Sequence, residues 1–316
     1  MEAAALVLRP SSFVYVELNM TNKIKRREFI GQVSGAAVAL GIGAAAAPAA
    51  AQEPAAAWTP KKAFLYDMLP GALSVEDRFK LVRDVGFDGV EAPPITDPAQ
   101  AERMRTAAEK AGVRVHSVIY GGWDAPLTDP DPAVRARGMK AAEAAMQSAH
   151  NMGADDILLV PGIVTEKTRY VEAYQRSQKQ IRELIPTAER LNILILIEEV
   201  WNKFLLSPLE YARYLDEFRS PWVHSYFDVG NVVDFAWPED WIRTVGPRIR
   251  RVHLKDFKRG PRQFVNIGDG DVNWPEVRRA FMEVGYHGFM TTELSGGDEP
   301  YLRDLAARVD KVIAGA

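Results

Sequence analysis

The chain of 316 residues contains no cysteine, which removes disulfides, thiolate metal sites, iron–sulfur clusters and thiol nucleophiles from consideration. Histidine is scarce, with only His116, His150, His224, His253 and His287 present, so any metal site must be rich in carboxylates. There is no block of lysine and arginine. Without residues 1–51 the 39 bases fall to 34 and the 42 acids to 39, a net charge of about −5. That balance does not suit nucleic acid or an anionic membrane surface. Beyond residue 51 no segment is long and apolar enough to cross a bilayer. What is present is ordinary: 47% hydrophobic and 26% charged residues, ample for the core of one large domain.

The N-terminus reads as an address. Residues 25–30 are Lys-Arg-Arg-Glu-Phe-Ile, followed by a small apolar run from Val33 to Ala47 and by Ala49-Ala50-Ala51 before Gln52. A basic stretch, a weakly hydrophobic Gly/Ala segment and an A-x-A end are the layout of a cleaved signal. Arg26-Arg27 followed by x-Phe-Ile resembles the twin-arginine type. A membrane anchor is the competing reading, but so short a Gly/Ala-rich run spans poorly. The expected organisation is residues 1–51 as N-terminal extension and signal, 52–60 as linker and 61–316 as the folded domain. The mature protein is then exported, periplasmic where that compartment exists, with no membrane segment after cleavage. Met20, six residues before the arginine pair, offers a second possible start.

From Lys61 onward, short β-rich runs alternate with amphipathic helical stretches. The pattern predicts strands at Ala63–Asp67, Gly89–Ala92, Val113–Tyr120, Asp156–Val160, Ile193–Ile197, Val223–Phe227, Arg251–Leu254 and Phe289–Thr292. Between them lie helices opened by caps such as Ser74, Asp97 and Asp131 and closed by Gly112 and Gly153. The run Ile193-Leu194-Ile195-Leu196-Ile197 is apolar throughout, as in a strand buried on both faces. Eight β–α units in this length predict an α/β fold, a single-domain (β/α)8 TIM barrel. A doubly wound sheet is the alternative, but no Gly-rich phosphate loop follows the first strand. In a barrel, catalytic side chains belong where strands end.

Four polar residues stand there: Glu198, Asp228, His253 and Glu293, in strands five to eight. Neighbouring strands would bring them together on one side of the mouth. A set dominated by oxygen suits Mn²⁺, Mg²⁺ or Co²⁺ better than a structural Zn²⁺. Taken singly, a carboxylate after a strand caps a helix and a strand histidine packs in a core; four in successive units, each after apolar residues, point to one divalent ion. Smaller roles at the mouth are expected for Lys255 and Arg259 after the histidine, and for Trp201, Asn202 and Lys203 after strand five. Glu91, His116, Tyr120 and Trp123 follow strands two and three and could line the opposite wall.

Units five to eight resemble the xylose-isomerase-like barrel superfamily, which includes ketose 3-epimerases, hydroxypyruvate isomerase, inosose dehydratase and endonuclease IV. The resemblance runs over residues 61–316 and is strongest at Ile197-Glu198-Glu199-Val200-Trp201-Asn202-Lys203-Phe204, Phe227-Asp228-Val229-Gly230-Asn231 and Val252-His253-Leu254-Lys255-Asp256. It implies metal ligands at Glu198, Asp228, His253 and Glu293, with Glu199 as the alternative first ligand. It also implies that Glu198 and Glu293 act as paired acid and base. Departures are visible: Asn231 stands where ketose 3-epimerases often have a histidine, and Phe204 or Leu205 where they have a second glutamate. The sugar-binding shell therefore differs. Five scattered histidines cannot supply the trinuclear zinc site of endonuclease IV.

The expected activity is a metal-dependent isomerase or epimerase, with manganese first among Mn²⁺, Mg²⁺, Co²⁺ and Zn²⁺. It takes a proton from the carbon next to a carbonyl in a non-phosphorylated ketose or keto-sugar. Two rivals remain: a lyase that eliminates the aglycone of a 3-keto-glycoside by the same enolate chemistry, and an exported carbohydrate-binding protein without catalysis. The partner is a small sugar, with homo-oligomerisation left open.

Overall fold

A computed structural model describes residues Trp58–Gly315; the signal segment lies outside the described residues. Strands β1 (Lys61–Leu65), β2 (Gly89–Ala92), β3 (Arg114–Tyr120), β4 (Asp156–Leu159), β5 (Leu194–Glu198), β6 (Val223–Asp228) and β7 (Ile249–Leu254) belong to one barrel. A short antiparallel hairpin follows, β8 (Asp256–Lys258) with β9 (Gln263–Val265). Strand β10 (Phe289–Thr292) then closes the barrel between β1 and β7, with every barrel pairing parallel. The helices are α1 (Val75–Asp84), α2 (Pro98–Ala111), α3 (Pro132–Met152), α4 (Tyr170–Leu191), α5 (Pro208–Asp216), α6 (Val229–Val233), α7 (Pro238–Val245), α8 (Trp274–Glu283) and α9 (Glu299–Ala314). The (β/α)8 expectation is met.

Local chemistry sets the boundaries. Ser74, Asp97 and Asp131 accept the backbone N–H groups of Asp77, Ala99 and Ala133, so each helix begins where its free donors find a partner. Proline stands in the first turn of α2 and α3, where no N–H is needed. Alternation along each strand then divides the apolar residues between two cores. In β5, Ile195 and Ile197 face the helices, while Leu194 and Leu196 point into the barrel against Leu158 and Tyr226.

Two departures concern the ends. The first strand begins at Lys61 rather than Ala63, and Tyr66–Met68 form a 3-10 turn. Trp58, within the stretch read as linker, is buried; its indole N–H donates to the Tyr286 carbonyl at 2.6 Å and its ring stacks on Phe281. The folded body therefore includes Trp58. Two elements carried no signal strong enough to predict: α6, only five residues long, and the β8–β9 hairpin in the loop after β7.

Candidate metal and catalytic site

Strand parity builds the site. Glu198 continues the inward series Leu194, Leu196 of β5, and the same two-residue step carries Tyr226 to Asp228, His253 to Lys255 and Thr291 to Glu293. The registers Glu198↔Tyr226 and Asp228↔His253 hold neighbouring strands level. One ligand atom from each of Glu198, Asp228, His253 and Glu293 lies within 4.8 Å of all the others, a group able to hold a metal ion. Glu199 falls on the other parity. Its Oε1 accepts the Asp228 backbone N–H at 2.5 Å and its carbonyl accepts the Asn231 amide at 3.1 Å, so it braces the start of α6 instead.

The imidazole of His253 is fixed from behind. Its Nε2–H donates to Glu91 Oε2 at 2.7 Å, which turns Nδ1 toward Glu293 Oε2 at 2.8 Å, Glu198 Oε1 at 3.1 Å and Asp228 Oδ2 at 3.7 Å. Glu91 is itself held by Ser117 Oγ at 2.8 Å and Tyr226 OH at 3.1 Å. Nδ1 can thus share a proton with these oxygens or give its lone pair to a cation. Asp228 uses Oδ1 to cap α6 through Asn231 N. Asp228 Oδ2 and Glu293 Oε2 are buried without a directed hydrogen bond, although Lys255 Nζ sits at ion-pair distance, 2.9 and 2.8 Å. Carboxylate oxygens from three strands, two of them held by ion pairs alone, gathered around an oriented imidazole fit a hard divalent cation.

The two glutamates have opposite proton affinities. Burial, aided by the charges of Glu293 and Asp228, pushes Glu198 up to about 7 against the pull of His253. Glu293 is only partly buried, and His253 and Lys255 outweigh its desolvation and hold it well below the usual carboxylate range. Burial works against the charge on Lys255, yet the Asp228 and Glu293 carboxylates keep it charged. His253 is likewise held well above an ordinary histidine: burial opposes its charge, and the Glu293 and Glu91 carboxylates prevail.

The other expected site residues divide. Lys255, Trp201 and Asn231 line a cavity of about 330 Å³ over Glu198 and Glu293, with Trp123 on the far wall. Trp201 is anchored by its indole N–H on the Asn231 carbonyl at 2.9 Å and stacks on Phe264 of β9. Four residues are placed elsewhere. Glu91 is fully buried beneath the site as the support of His253, not a wall. His116 stacks on Phe289 and pairs with Thr291 Oγ1 inside the barrel. Asn202 spends its amide on the Gly162 carbonyl and on Phe204 N. Arg259 donates to the Val233 and Ala236 carbonyls and lies over Trp237, tying the hairpin to the loop after α6. Ser117, Tyr226 and Thr291 were not singled out from the sequence; their inward parity was the available signal.

The hairpin forms a rigid side of the mouth. Asp256 accepts hydrogen bonds from Phe257 N, Gly268 N, Val272 N and the Trp274 indole, between 2.9 and 3.2 Å. Beyond it lies a larger cavity of about 1050 Å³, bounded by the hairpin and the loop after β10.

The closed parallel barrel, with a carboxylate–histidine cluster able to hold a metal ion at its strand ends, places the chain among (β/α)8 proteins whose site lies at the strand C-termini. Residues 79–311 match the model of the xylose isomerase-like TIM barrel family, and the chain belongs to that family. L-ribulose-5-phosphate 3-epimerase UlaE of Salmonella paratyphi A is 28% identical over 237 residues, spanning 70% of this chain and 82% of that relative. D-psicose 3-epimerase from Clostridium cellulolyticum H10, solved with D-tagatose, shares the fold at a TM-score of 0.68 and 18% identity, over 80% of this chain and 98% of that one. The 3-keto-D-glucoside 4-epimerase YcjR from E. coli does so at 0.69 and 15%, over 80% and 100%.

Proposed function

We propose that the protein is a divalent-metal-dependent isomerase or epimerase that moves a proton next to the carbonyl of a non-phosphorylated ketose or keto-sugar. The observation that carries this reading is the pair Glu198 and Glu293: two carboxylates from strands β5 and β10, unlike in proton affinity, beside one cation cradle. Glu198, Asp228, His253 and Glu293 would hold the cation, manganese by preference among Mn²⁺, Mg²⁺, Co²⁺ and Zn²⁺, and when bound it would supply stabilisation of negative charge on the substrate oxygens. Glu198 and Glu293 take and return the proton from opposite sides. Lys255 balances the charge of Asp228 and Glu293, and Trp201 and Trp123 offer ring faces to the sugar. The epimerases among the relatives support the same chemistry.

A free rather than phosphorylated sugar is favoured by the export expected of the N-terminus and by the lining of the mouth. Export by the proposed twin-arginine signal, with cleavage near Gln52, would take the enzyme away from the cytoplasmic phosphosugars. In addition, barrels commonly hold phosphate in the loops after strands seven and eight and at a helix N-terminus there. Here Asp298 already caps α9 through Tyr301 N, Glu299 follows it, and Asp269 lines the adjoining cavity. Among the described residues neither cavity at the mouth is lined by an arginine, and the two lysines of the larger one, Lys255 and Lys258, are matched by Glu293 and Asp269.

The deciding experiment is an NMR screen of free ketoses in D₂O with the manganese-loaded protein. Deuterium entering the carbon next to the carbonyl, lost on chelation, is the expected result. Metal-loaded protein that exchanges no proton in any keto-sugar would refute the reading. Release of an aglycone from a 3-keto-glycoside would assign the lyase instead.

A further inference from the structure

The mouth of the barrel is divided in two. The smaller cavity, about 330 Å³, lies over the barrel axis, where Glu198 and Glu293 both line it with Trp123 and Trp201. The larger, about 1050 Å³, extends outward past the hairpin and the loop after β10. Lys255 and Glu293 line both. Glu198 lines only the smaller one, so the carbon that exchanges its proton between the two glutamates must sit there.

Pockets of about 300–1,000 Å³ enclose drug-sized ligands. A single ketose ring, smaller than those, is housed by the inner cavity alone. The outer cavity is then superfluous for a monosaccharide. Its walls are mixed: Gln263, Asn266 and Ser295 offer hydrogen-bonding groups beside the ring of Phe264. Asn266 is steadied by Tyr301 OH, which donates to its Oδ1 at 3.1 Å. Uncharged polar groups next to an aromatic face suit a second sugar ring, and the charges on the walls, Lys255 and Lys258 against Glu293 and Asp269, balance, which suits a neutral one.

From the two cavities meeting at Lys255 and Glu293 we infer that the substrate is a glycosylated keto-sugar: the reacting keto ring lies in the inner cavity and a neutral glycosyl ring in the outer one. The inference rests on the proposed proton-transfer reading and narrows its substrate class.

The test compares kcat/KM for deuterium exchange into D-fructose with that into the glycosyl-ketoses maltulose, lactulose and isomaltulose and into 3-ketosucrose. The manganese-loaded full chain is used. The expected result is at least one two-ring substrate exchanging ten times or more faster than fructose. Ser295 is exposed on the outer wall, and Ser295→Trp, which fills that cavity, should lower the ratio at least tenfold, mainly through KM. Gln263→Trp, from the opposite wall, should do the same if Ser295→Trp fails to fold. A wild-type ratio of one or below for all two-ring probes, or a ratio unmoved by either folded variant, overturns the inference. If no probe exchanges at all, the proton-transfer reading has failed. Calorimetric binding of maltulose and 3-ketosucrose then decides the two-ring inference by itself. At least tenfold weaker binding of one of them by Ser295→Trp upholds it, and equal binding or none by the wild type overturns it.

Discussion

The interior of the barrel holds buried charge at both ends, and the two clusters follow opposite plans. At the N-terminal end, Arg251 reaches Asp156 at 2.7 Å and Asp155 at 3.0 Å, with His116 stacked on Phe289 nearby. One cation faces two acids, and only Asp155 of these two is open to solvent. Two residues further along the same strand the balance changes. Three carboxylates, Glu198, Asp228 and Glu293, share one histidine and one lysine, beside an open cavity. Both clusters hold buried oxygens without a directed hydrogen bond, Asp156 Oδ1 and Oδ2 in the lower one and Asp228 Oδ2 and Glu293 Oε2 in the upper, but in the upper one carboxylates from three strands crowd a single imidazole. Burial alone therefore does not mark function in this fold. An excess of carboxylates gathered around one imidazole does.

The sharpest way to break this comparison is to change one group at each end. Glu293→Gln keeps the shape of the side chain but removes a base, and should cost at least about 10²-fold in the rate of proton exchange. The same holds for Glu198→Gln. Both variants should keep their melting temperature and part of their metal, measured by calorimetry and elemental analysis. Wild-type turnover in both would end the acid–base assignment. Arg251→Met should do the reverse: leaving Asp156 buried without its cation, it should lower unfolding stability by about 3–5 kcal/mol. Manganese affinity in the folded fraction should stay near that of the wild type. A large drop in affinity would show that the two ends are coupled.

Smaller effects refine the picture. Glu91 touches the site only through His253 Nε2. Glu91→Gln should weaken manganese binding about 10–100-fold, as loss of a partner behind a ligating histidine does, with little change in melting temperature. Unchanged affinity would show that the imidazole needs no such support. The last effect concerns pH. Burial raises Asp156 to about 7 in the folded protein, despite Arg251. A carboxyl raised on folding contributes stability below its unfolded value near 4, and that contribution is lost as pH rises through about 7. Asp156→Asn should therefore flatten the fall in stability between pH 4 and 7, read from denaturant midpoints at each pH.

Much of the site was legible because strand parity is a strict local rule. It places Glu198, Asp228, His253 and Glu293 on the inner face once eight strands are recognised. It also separates Glu198 from Glu199, an ambiguity that the family resemblance left open. Asn202 and Arg259 were not legible, because their partners are carbonyls of distant loops: Gly162 for the first, Val233 and Ala236 for the second. His116 and Glu91 sit beside an irregularity where the β2–β3 register shifts between Val90 and Glu91. Such a shift re-aims side chains without any trace in hydrophobic periodicity. Helix α6 escaped because its packing depends on Gly230, where a Cβ would fall 2.5 Å from Lys255 Cβ. That close approach is a tertiary fact, invisible in five residues of sequence.

The four hydrogen bonds gathered by Asp256 have a kinetic consequence. They pin the hairpin to the start of α8 at several points along the chain, so it is a fixed jamb and not a lid that swings with each turnover. The entrance beside it should then keep its width as a ligand enters. Encounter is then a matter of diffusion into a standing doorway, and dwell time is governed by the grip of the walls on what has entered.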